Sequence, residues 1–341
     1  MAILIKGLNP VLISMEKHIS VVIPNYNAEA TIGKCLEAAF ASNYKNFEVV
    51  VVDDCSDDRS VEIIKQFPCK LLSFDKRSGT SKARNAGARN CSGEVVFFID
   101  SDCLLQKDTL SIVNQTMSEL APDHMVGGTY ADVAYDDTFF NTFQAVWINY
   151  SETRKVLDPD YIAAHAMIMF KKTFDDSQGF PEEFMPIIED VEYSHRLKKS
   201  GVKLMMNPEI QVSHIFGFTL SRSLRNAYRK TAYWCLYSLH NKDLFSDSGT
   251  ASAEFKTNVA LYVMILFLLL VSALAGNAAL ISLVPVIIII NVFISRKLIS
   301  AFLKAKGKVF AFFAFLYYSL LYPLPVGLGT AAGMMKYIKG K

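Results

Sequence analysis

The last quarter of this 341-residue sequence lacks acidic residues, and long parts of it lack charge altogether. From residue 257 onward there are eight lysines and arginines but no aspartate or glutamate. No charged side chain of either sign occurs over 257–295 or over 309–335. At ~1.5 Å per residue the first run would form roughly 58 Å of helix, enough for about two crossings of a ~30 Å hydrocarbon core. We therefore expect membrane spans at about 259–275, 278–295 and 309–335; the alternative is a very apolar soluble core.

The rest of the sequence lacks an excess of basic residues. It holds 27 of the 35 lysines and arginines and all 33 aspartates and glutamates, a formal charge of −6. The chain thus combines an acidic soluble part with a basic membrane part, as expected beside anionic lipid headgroups. This distribution predicts a lipid bilayer as a partner and gives no sign of nucleic-acid binding.

Disulfide and zinc-site patterns are also missing. The six cysteines form no CxxC pair and no Cys/His metal spacing, so we expect reduced thiols in a cytosolic domain. The first 14 residues, MAILIKGLNPVLIS, are too short and too interrupted for a cleavable signal peptide. We interpret them as a short surface segment.

The first hundred residues do contain an alternation of apolar strands and amphipathic helices. Strands are expected at 18–24, 47–54, 69–73 and 94–100, and helices at 30–41, 60–66 and 82–90. Runs such as VVVV, buried on both faces, predict an α/β domain with a parallel, doubly wound sheet. Ligands of such sheets bind at the carboxyl ends of the strands, which here are Pro24-Asn25, Asp53-Asp54 and Asp100-Ser101-Asp102.

The stretch FFIDSDC, at 97–103, places two carboxylates at the end of an apolar strand. Their charges repel each other unless a cation lies between them. A hard divalent ion such as Mg²⁺ or Mn²⁺ meets this need, typically with one or two carboxylates and the phosphates of a substrate. Because Asp100 and Asp102 are two residues apart, one can hold the metal while the other reaches a neighbouring hydroxyl.

Four segments together resemble family 2 glycosyltransferases of the GT-A fold. They are SVVIPNYNAEATIGKCLEA (20–38), VVVVDDCSDD (49–58), GTSKARNAGARNCSGEVVFFIDSDC (79–103) and GFPEEFMPIIEDVEYSHRLKKSG (179–201). Their order and spacing agree with that family over about residues 18–215. The resemblance implies a catalytic domain over 15–217 with a UDP- or GDP-sugar as donor.

The resemblance also implies roles for individual residues. Asp53 and Asp54 match a strand-end pair that binds the nucleobase and ribose, with Asp54 favoured for the base edge. Asp100 would contact ribose and Asp102 the metal; His214 is a further metal ligand or, alternatively, a packed strand-end histidine. The residues expected to bind the nucleotide sugar are Pro24, Asn25, Tyr26, Asp53, Asp54, Arg84, Asn85, Asp100 and Ser101. The expected metal ligands are Asp102, Asp100 and His214.

The pair Glu189-Asp190 matches the family's ED pair, which implies that Asp190 is the general base for the acceptor hydroxyl. The chemistry agrees, because the leaving phosphate gains negative charge and the acceptor oxygen must lose its proton as it attacks. One base without an enzyme nucleophile means a single displacement, so the anomeric configuration inverts. Acids that favour a helix N-terminus are the alternative. His165 is at a position where relatives often carry a small or amide residue that lines the acceptor site, and it is expected to pack instead.

Residues 218–256 are predicted to form an amphipathic linker at the membrane interface. Arg222, Arg225 and Arg229 fall at i, i+3 and i+7 of a helix, with Trp234 following. A basic face beside aromatic residues is typical of a helix on a membrane surface and suits the phosphates of a lipid-linked acceptor. The alternative is a helix packed on the catalytic domain with solvated arginines. The QxxRW motif of many relatives is missing, which argues against a processive synthase.

The sequence thus predicts a membrane-anchored, metal-dependent, inverting hexosyltransferase. It would add one sugar to a hydroxyl of a membrane-associated, lipid-linked saccharide for cell-surface glycan synthesis. The alternatives are a polyprenyl-phosphate glycosyltransferase and a non-catalytic membrane scaffold with the same fold. Because nucleotide sugars are cytosolic, we expect the catalytic domain on the cytoplasmic side of a bacterial or archaeal plasma membrane. The third apolar run either crosses once or re-enters at Pro323 and Pro325.

Overall fold

The computed structural model describes residues 16–183 and 187–340. The expected N-terminal surface segment lies outside these residues. In the described part of the chain, eight strands form one sheet. The strands are β1 (Ile19–Asn25), β2 (Phe47–Asp53), β3 (Lys70–Ser73), β4 (Val95–Phe98), β5 (Cys103–Leu105), β6 (His124–Tyr130), β7 (Met167–Phe170) and β8 (Lys203–His214).

The strand order in the sheet is β3-β2-β1-β4-β7-β6-β8-β5. Strands β1 to β4 are parallel, which confirms the prediction for the first hundred residues. Strand β7 is antiparallel to β4 and β6, β6 and β8 are parallel, and β5 is antiparallel to β8. The sheet is therefore mixed, because its second half adds antiparallel strands to the predicted parallel half.

Helices pack on both faces of this sheet and continue beyond it. The three helices expected before residue 100 are present, with ends that differ by up to two residues. The helices are α1 (Ile32–Phe40), α2 (Ser60–Ile64), α3 (Thr80–Arg89), α4 (Thr109–Ser118), α5 (Phe139–Thr153), α6 (Lys171–Asp176), α7 (Glu189–Lys199), α8 (Leu220–Asn241), α9 (Ala253–Ala275), α10 (Leu283–Ile294), α11 (Arg296–Leu316) and α12 (Pro323–Lys339).

Successive side chains of β1 are buried on opposite faces of the sheet. Val21 belongs to the same buried cluster as Leu36 of α1. Val22 belongs to a second cluster, with Phe98 of β4 and Tyr193 of α7. Because side chains alternate along a strand, a continuous valine run can serve both clusters. Burial of both faces leaves the strand ends as the part of the sheet that is open to ligands.

Two helical stretches of the described chain are long and apolar enough to cross a membrane, Ala253–Ala275 and Arg296–Lys339. Of the most apolar 18 residues in each stretch, 11% are buried in the first and 44% in the second. The expected second span is shorter in the structure, because Ala278–Ile294 begins with a 3₁₀ turn and α10 itself has 12 residues, ~18 Å of helix. Helix α11, which leads into the third apolar run, is kinked at Gly307, where φ is 78°.

A π-helical turn, Tyr317–Leu321, joins α11 to α12 and is tied to the neighbouring helices by buried amides. Asn258 Nδ2 of α9 donates to the carbonyl of Tyr318 at 2.9 Å, and Asn291 Nδ2 of α10 donates to Asn258 Oδ1 at 2.7 Å. Pro323 follows in the first turn of α12, where no N–H is needed. The prolines of the third run therefore begin a helix.

Helix α12 packs closely on α8 through two glycines. A Cβ at Gly329 would lie 2.5 Å from the carbonyl oxygen of Tyr228, and one at Gly333 would lie 2.6 Å from that of Ala232. Glycines four residues apart allow two helix backbones to approach in this way. The α8 helix, expected at a membrane surface, is therefore held by the C-terminal helix, which positions its cavity-facing side chains.

Candidate active site

The carboxyl ends of β1, β2 and β4 meet at one edge of the sheet. Asn25 pairs in register with Asp53, and the Asp54 N–H donates to the carbonyl of Asn25 at 2.8 Å. A cavity of about 1000 Å³ opens at this edge. The predicted nucleotide-sugar residues that line it are Pro24, Asn25, Tyr26, Asp54, Arg84, Asp100 and Ser101. Asp53 and Asn85 do not line it.

Asp53 and Asp54 both accept hydrogen bonds from other segments of the chain, Asp53 mainly from side chains and Asp54 from backbone. Asp53 Oδ1 accepts hydrogen bonds from Asn25 Nδ2 at 2.8 Å and from the Ser56 hydroxyl at 2.6 Å. Asp54 accepts from the N–H groups of Ser78 and Gly79, at 2.6 and 2.8 Å, and so fixes the loop before α3. Of the two carboxylates, Asp54 is the one that lines the cavity, and its place at the nucleobase stays a prediction.

Arg84 lies between two carboxylates of the cavity wall. Its guanidinium donates to Asp100 Oδ1 at 2.7 Å and to Glu189 Oε1 at 2.5 Å, and the residue is 3% exposed. Burial alone would lower the pKa of Arg84, but the two carboxylates raise it, and the Arg84 charge lowers the pKa of Asp100 despite burial. The charge repulsion expected at the strand end is thus relieved in part by an arginine.

The side chain of Asn85 has a structural role, because it binds the backbone of a distant segment. Its amide exchanges two hydrogen bonds with the backbone of Phe180, each at 2.8 Å, one as donor and one as acceptor. It also donates to Glu182 at 3.0 Å. Gly179, with φ of 71°, lies so close that a Cβ there would be 2.4 Å from Asn85 Oδ1. The side chain expected beside the nucleotide instead fixes the segment that precedes the Glu189-Asp190 pair.

Asp102 and His214 come together because β5 pairs with β8. Cys103 is in register with His214, and His214 Nε2 lies 3.4 Å from Asp102 Oδ1. Burial, and then the nearby charge of Asp100, raise the pKa of Asp102 to about 7. Burial lowers the pKa of His214 to about 3, so the imidazole is neutral.

This donor set fits a divalent metal ion. Asp102 Oδ1, Cys103 Sγ and a nitrogen of His214 lie within 4.8 Å of one another, and His214 Nδ1 is buried without a hydrogen-bond partner in the described chain. A carboxylate and a neutral imidazole suit Mn²⁺, whereas a thiol with a raised pKa does not suit a hard ion. One carboxylate oxygen of Asp100, the other predicted ligand, already accepts a hydrogen bond from Arg84.

Asp190 is fixed at the first turn of α7 with its carboxylate at the cavity. Asp190 Oδ2 accepts from the Ala164 N–H at 3.1 Å, and Ile188, just before the helix, has a left-handed φ of 67°. Burial, and then the charge of Glu189, raise the pKa of Asp190 to about 6, although Arg84 opposes this shift. Of the Glu189-Asp190 pair, Asp190 is therefore the better proton acceptor, since Glu189 is bound to Arg84.

Residues 20–178 match the protein-family model described as Glycosyl transferase family 2. The chain contains a family 2 glycosyltransferase domain. Over 164 residues it is 31% identical to glycosyltransferase GlyA of Streptococcus pneumoniae, an overlap of 45% of this chain and 24% of that protein. Over 242 residues it is 26% identical to glycosyltransferase AglE of Haloferax volcanii, an overlap of 67% of this chain and 78% of that protein.

The glycosyltransferase domain accounts for only part of several relatives. The chain spans 24%, 44% and 61% of the lengths of three curated glycosyltransferases that it matches. A solved structure, the mannosyltransferase PcManGT from Pyrobaculum calidifontis in complex with GDP-Man and Mn²⁺, is similar with a TM-score of 0.56 and 16% identity. The overlap is 96% of this chain and 88% of that chain. This likeness shows the fold, a GT-A-like mixed sheet followed by C-terminal helices.

Helix α8 contributes only part of its predicted basic face to the cavity of the glycosyltransferase domain. Arg229 and Trp234 line the cavity, and the Trp234 ring lies 5.6 Å from that of Tyr161. Arg222 and Arg225 are exposed and do not line it, and Arg222 donates to the carbonyl of Gly217 at 3.1 Å. Two small buried residues of α8, Ala232 and Cys235, lie against Gly333 of α12.

The cavity also contains several polar residues that were not predicted from the sequence. They are Tyr130, Gln144, Glu152 and Lys230, and His165, expected to pack, lines the cavity as well. Gln144, Ile148 and Glu152 follow one another at four-residue spacing along α5 and so share one helix face. A carboxylate in the apolar stretch FFNTFQAVWINYSET was a signal that could have identified this face.

Proposed function

We propose that this protein is an inverting glycosyltransferase that moves one sugar from a nucleoside-diphosphate sugar to a hydroxyl of a membrane-associated acceptor. The observation that supports this most is that Asp190 lines the same cavity as Asp100 and Asp102. A single displacement needs a base on one side of the sugar and a site for the leaving diphosphate on the other. The cavity offers both.

The nucleoside of the donor would lie against Pro24–Tyr26 and Asp54. The Tyr26 ring is 39% exposed and has the guanidinium of Arg77 4.2 Å from its centroid. An aromatic face and an arginine next to a strand-end carboxylate suit a base, a ribose and a phosphate. PcManGT, solved with GDP-Man and Mn²⁺, has the same fold and supports a nucleotide sugar as donor. We therefore propose a UDP- or GDP-sugar as the donor of this protein.

Asp102 and His214 would hold Mg²⁺ or Mn²⁺, with Asp100 beside them. When bound, the ion supplies positive charge that offsets the negative charge growing on the leaving diphosphate. Asp100 and Glu189 keep Arg84 in position in the wall, which preserves the shape of the site when the donor is absent. The charge of Glu189 also raises the pKa of Asp190, so Glu189 acts on the reaction through Asp190.

Asp190 would take the acceptor proton. As the acceptor oxygen forms its bond to the anomeric carbon, the bond from that carbon to the phosphate oxygen breaks, and the hydroxyl proton moves to the Asp190 carboxylate. A pKa of about 6 leaves this carboxylate mostly ionised near neutral pH yet more basic than an ordinary aspartate. Because no enzyme nucleophile takes part, the anomeric configuration inverts.

The acceptor would reach the cavity from a membrane. Besides the strand ends, the cavity is lined by residues of α8, α9, α12 and the position just before α12. We call these residues the membrane arm: Trp234, Phe255, Val259, Tyr322, Val326 and Met334. Helices α9 and α10 also expose large apolar side chains, such as Phe267 and Phe293 at 61% and 66%. Exposed apolar surface of this extent is typical of a lipid-facing helix. We infer an integral membrane protein with a cytoplasmic catalytic domain.

Nucleotide sugars and a variant of the base test this function. The full chain in detergent should be stabilised against heat by a UDP- or GDP-sugar, and more strongly with Mn²⁺ than without. Asp190→Asn should keep donor binding but lower transfer by about 10²–10⁴-fold. Asp175→Asn, on the exposed surface of α6, is the matched control and should keep full activity.

Two outcomes would contradict this proposal. Absence of any metal-dependent nucleotide binding would favour a non-catalytic scaffold. Undiminished transfer by Asp190→Asn would favour a phosphate acceptor, which is already ionised and needs no base.

A further inference from the structure

Glu152 and His165 form a buried polar pair in the wall of the cavity. His165 Nε2 lies 3.4 Å from Glu152 Oε2, and the two side chains are 9% and 7% exposed. Both residues line the cavity. Neither belongs to the strand-end carboxylates, to the donor set of the metal or to the Glu189-Asp190 pair.

The hydrogen-bonding capacity of this pair is incompletely used. His165 Nε2 is buried, and its 3.4 Å contact with Glu152 Oε2 is too poorly aligned to count as a hydrogen bond. Glu152 Oε2 accepts from the Thr129 hydroxyl at 2.8 Å, while no lysine or arginine of residues 16–183 and 187–340 forms an ion pair with Glu152. Buried polar atoms without partners are costly, so such atoms at a cavity point to a ligand that completes them.

The pair is fixed close to Asp190. His165 lies in the 3₁₀ turn Ala164–Ala166, and the N–H of Ala164 donates to Asp190 Oδ2 at 3.1 Å. The His165 ring stacks on Tyr130 with 4.0 Å between centroids and 23° between planes. A turn and a stacked ring leave the imidazole little freedom, as a binding residue next to a reacting group requires.

The position of Glu152 associates the pair with the acceptor. Glu152 is on α5, and Trp147 of the same helix contacts Phe255 and Tyr322 of the membrane arm, with ring centroids 5.3 Å apart in both cases. Because Trp147 and Glu152 both line the cavity, α5 extends the cavity wall from the pair toward the membrane arm.

We propose that Glu152 and His165 bind hydroxyls of a terminal sugar of the acceptor, beside the hydroxyl that Asp190 deprotonates. The acceptor is then a saccharide rather than a bare lipid phosphate; this inference rests on the proposed function. A carboxylate and an imidazole match the donors and acceptors of neighbouring sugar hydroxyls. A phosphate in the same place would lie against the carboxylates of Glu152 and Asp190, and the cations that line the cavity, Arg229, Lys230 and Lys256, would have to offset that repulsion.

Two variants of the pair test the inference in the full chain, with the nucleotide sugar that the wild type hydrolyses. Glu152→Gln keeps the shape of the side chain, and His165→Phe keeps a ring that can stack on Tyr130. The acceptor probes are octyl glycosides of glucose, galactose, mannose and N-acetylglucosamine, together with decyl phosphate. Each variant should lower kcat/KM for the glycoside that the wild type uses by about tenfold or more. Donor binding and donor hydrolysis by water should stay within about twofold, because neither involves the acceptor.

Matched controls separate binding from general damage. Glu209→Gln and His124→Phe make the same changes away from the cavity and should leave the glycoside kinetics unchanged. Melting temperatures show whether either pair variant is unfolded, and the other variant then provides the test.

Three results would overturn the inference. The first is glycoside transfer within about twofold of wild type in a folded variant. The second is a wild type that glycosylates decyl phosphate in preference to every glycoside. The third is a wild type that hydrolyses its donor but uses no glycoside. A wild type that neither binds nor hydrolyses any nucleotide sugar is a different result, because it removes the proposed function itself.

Discussion

The guanidinium group of Arg84 lies 2.7 Å from Asp100 Oδ1, across the gap between α3 and the end of β4. The arginine is 3% exposed, whereas the carboxylate side chain is 34% exposed toward the cavity. The second contact of Arg84, to Glu189, extends the same pairing to α7. One buried cation thus joins the strand end that would bind the donor to the helix that carries the proposed base.

Replacing Arg84 should therefore destabilise the whole site. Arg84→Met leaves Asp100 and Glu189 without their buried partner, which typically costs about 3 kcal/mol of unfolding free energy. Chemical unfolding followed by circular dichroism measures the change. Arg89→Met, on the same helix but with a side chain 57% exposed, should change stability by less than about 0.5 kcal/mol. Equal losses in the two variants would show that the buried pairing contributes nothing.

The raised pKa of Asp190 predicts opposite effects of pH on activity and stability. Activity needs the ionised base, so kcat/KM should rise through a pKa of about 6 and then level off. For stability, the folded carboxyl holds its proton at pH values where the unfolded one, with its ordinary pKa of 3.8, has released it. The unfolding free energy therefore decreases as pH rises between these two values.

Asp190→Asn removes this titration and provides the measurement. Relative to wild type, the variant should gain melting temperature at pH ~8 compared with pH ~4, because only the wild type carries the unfavourable charge at the higher pH. A difference between variant and wild type that is the same at both pH values would contradict the raised pKa.

Asp102 and His214 should govern the response to manganese. Asp102→Asn or His214→Asn should weaken the Mn²⁺ dependence of UDP or GDP binding by about tenfold or more, since each removes one donor of a small set. Calorimetric titration of the nucleotide with and without Mn²⁺ measures this effect. His124→Asn is a control histidine at the start of β6. Nucleotide binding that responds to Mn²⁺ equally in all three variants would exclude these residues as ligands.

Two glycines of α12 should respond in opposite directions to alanine. At Gly333 the new Cβ would lie 2.6 Å from the carbonyl of Ala232, and at Gly327 it would meet nothing within 4 Å. We expect Gly333→Ala to lower stability by about 1–3 kcal/mol through overpacking. Gly327→Ala should raise it by up to about 1 kcal/mol through helix propensity. Thermal unfolding in detergent measures both, and a stabilised Gly333→Ala would refute the close approach of α8 and α12.

The sequence by itself determined the parallel half of the sheet and the identity of its acidic edge. Continuous apolar runs such as VVVV and strand-end aspartates are local signals, so β1, β2 and β4 and the positions of Asp54, Asp100 and Asp102 could be predicted from neighbouring residues. The apolar C-terminal runs were equally visible, because hydrophobic length needs no tertiary information.

Only the tertiary structure decided which partners these residues have. Arg84 pairs with Glu189 across 105 positions of sequence, and Asn85 holds the backbone of Phe180 across 95. Glu152 and His165 reach the cavity because α5 and the turn before β7 meet there, and neither side chain belongs to a recognisable motif. Long-range packing sets such contacts. They could not be predicted from the sequence because the burial of each charged group, and with it the strength of its electrostatic interactions, depends on residues far away in the chain.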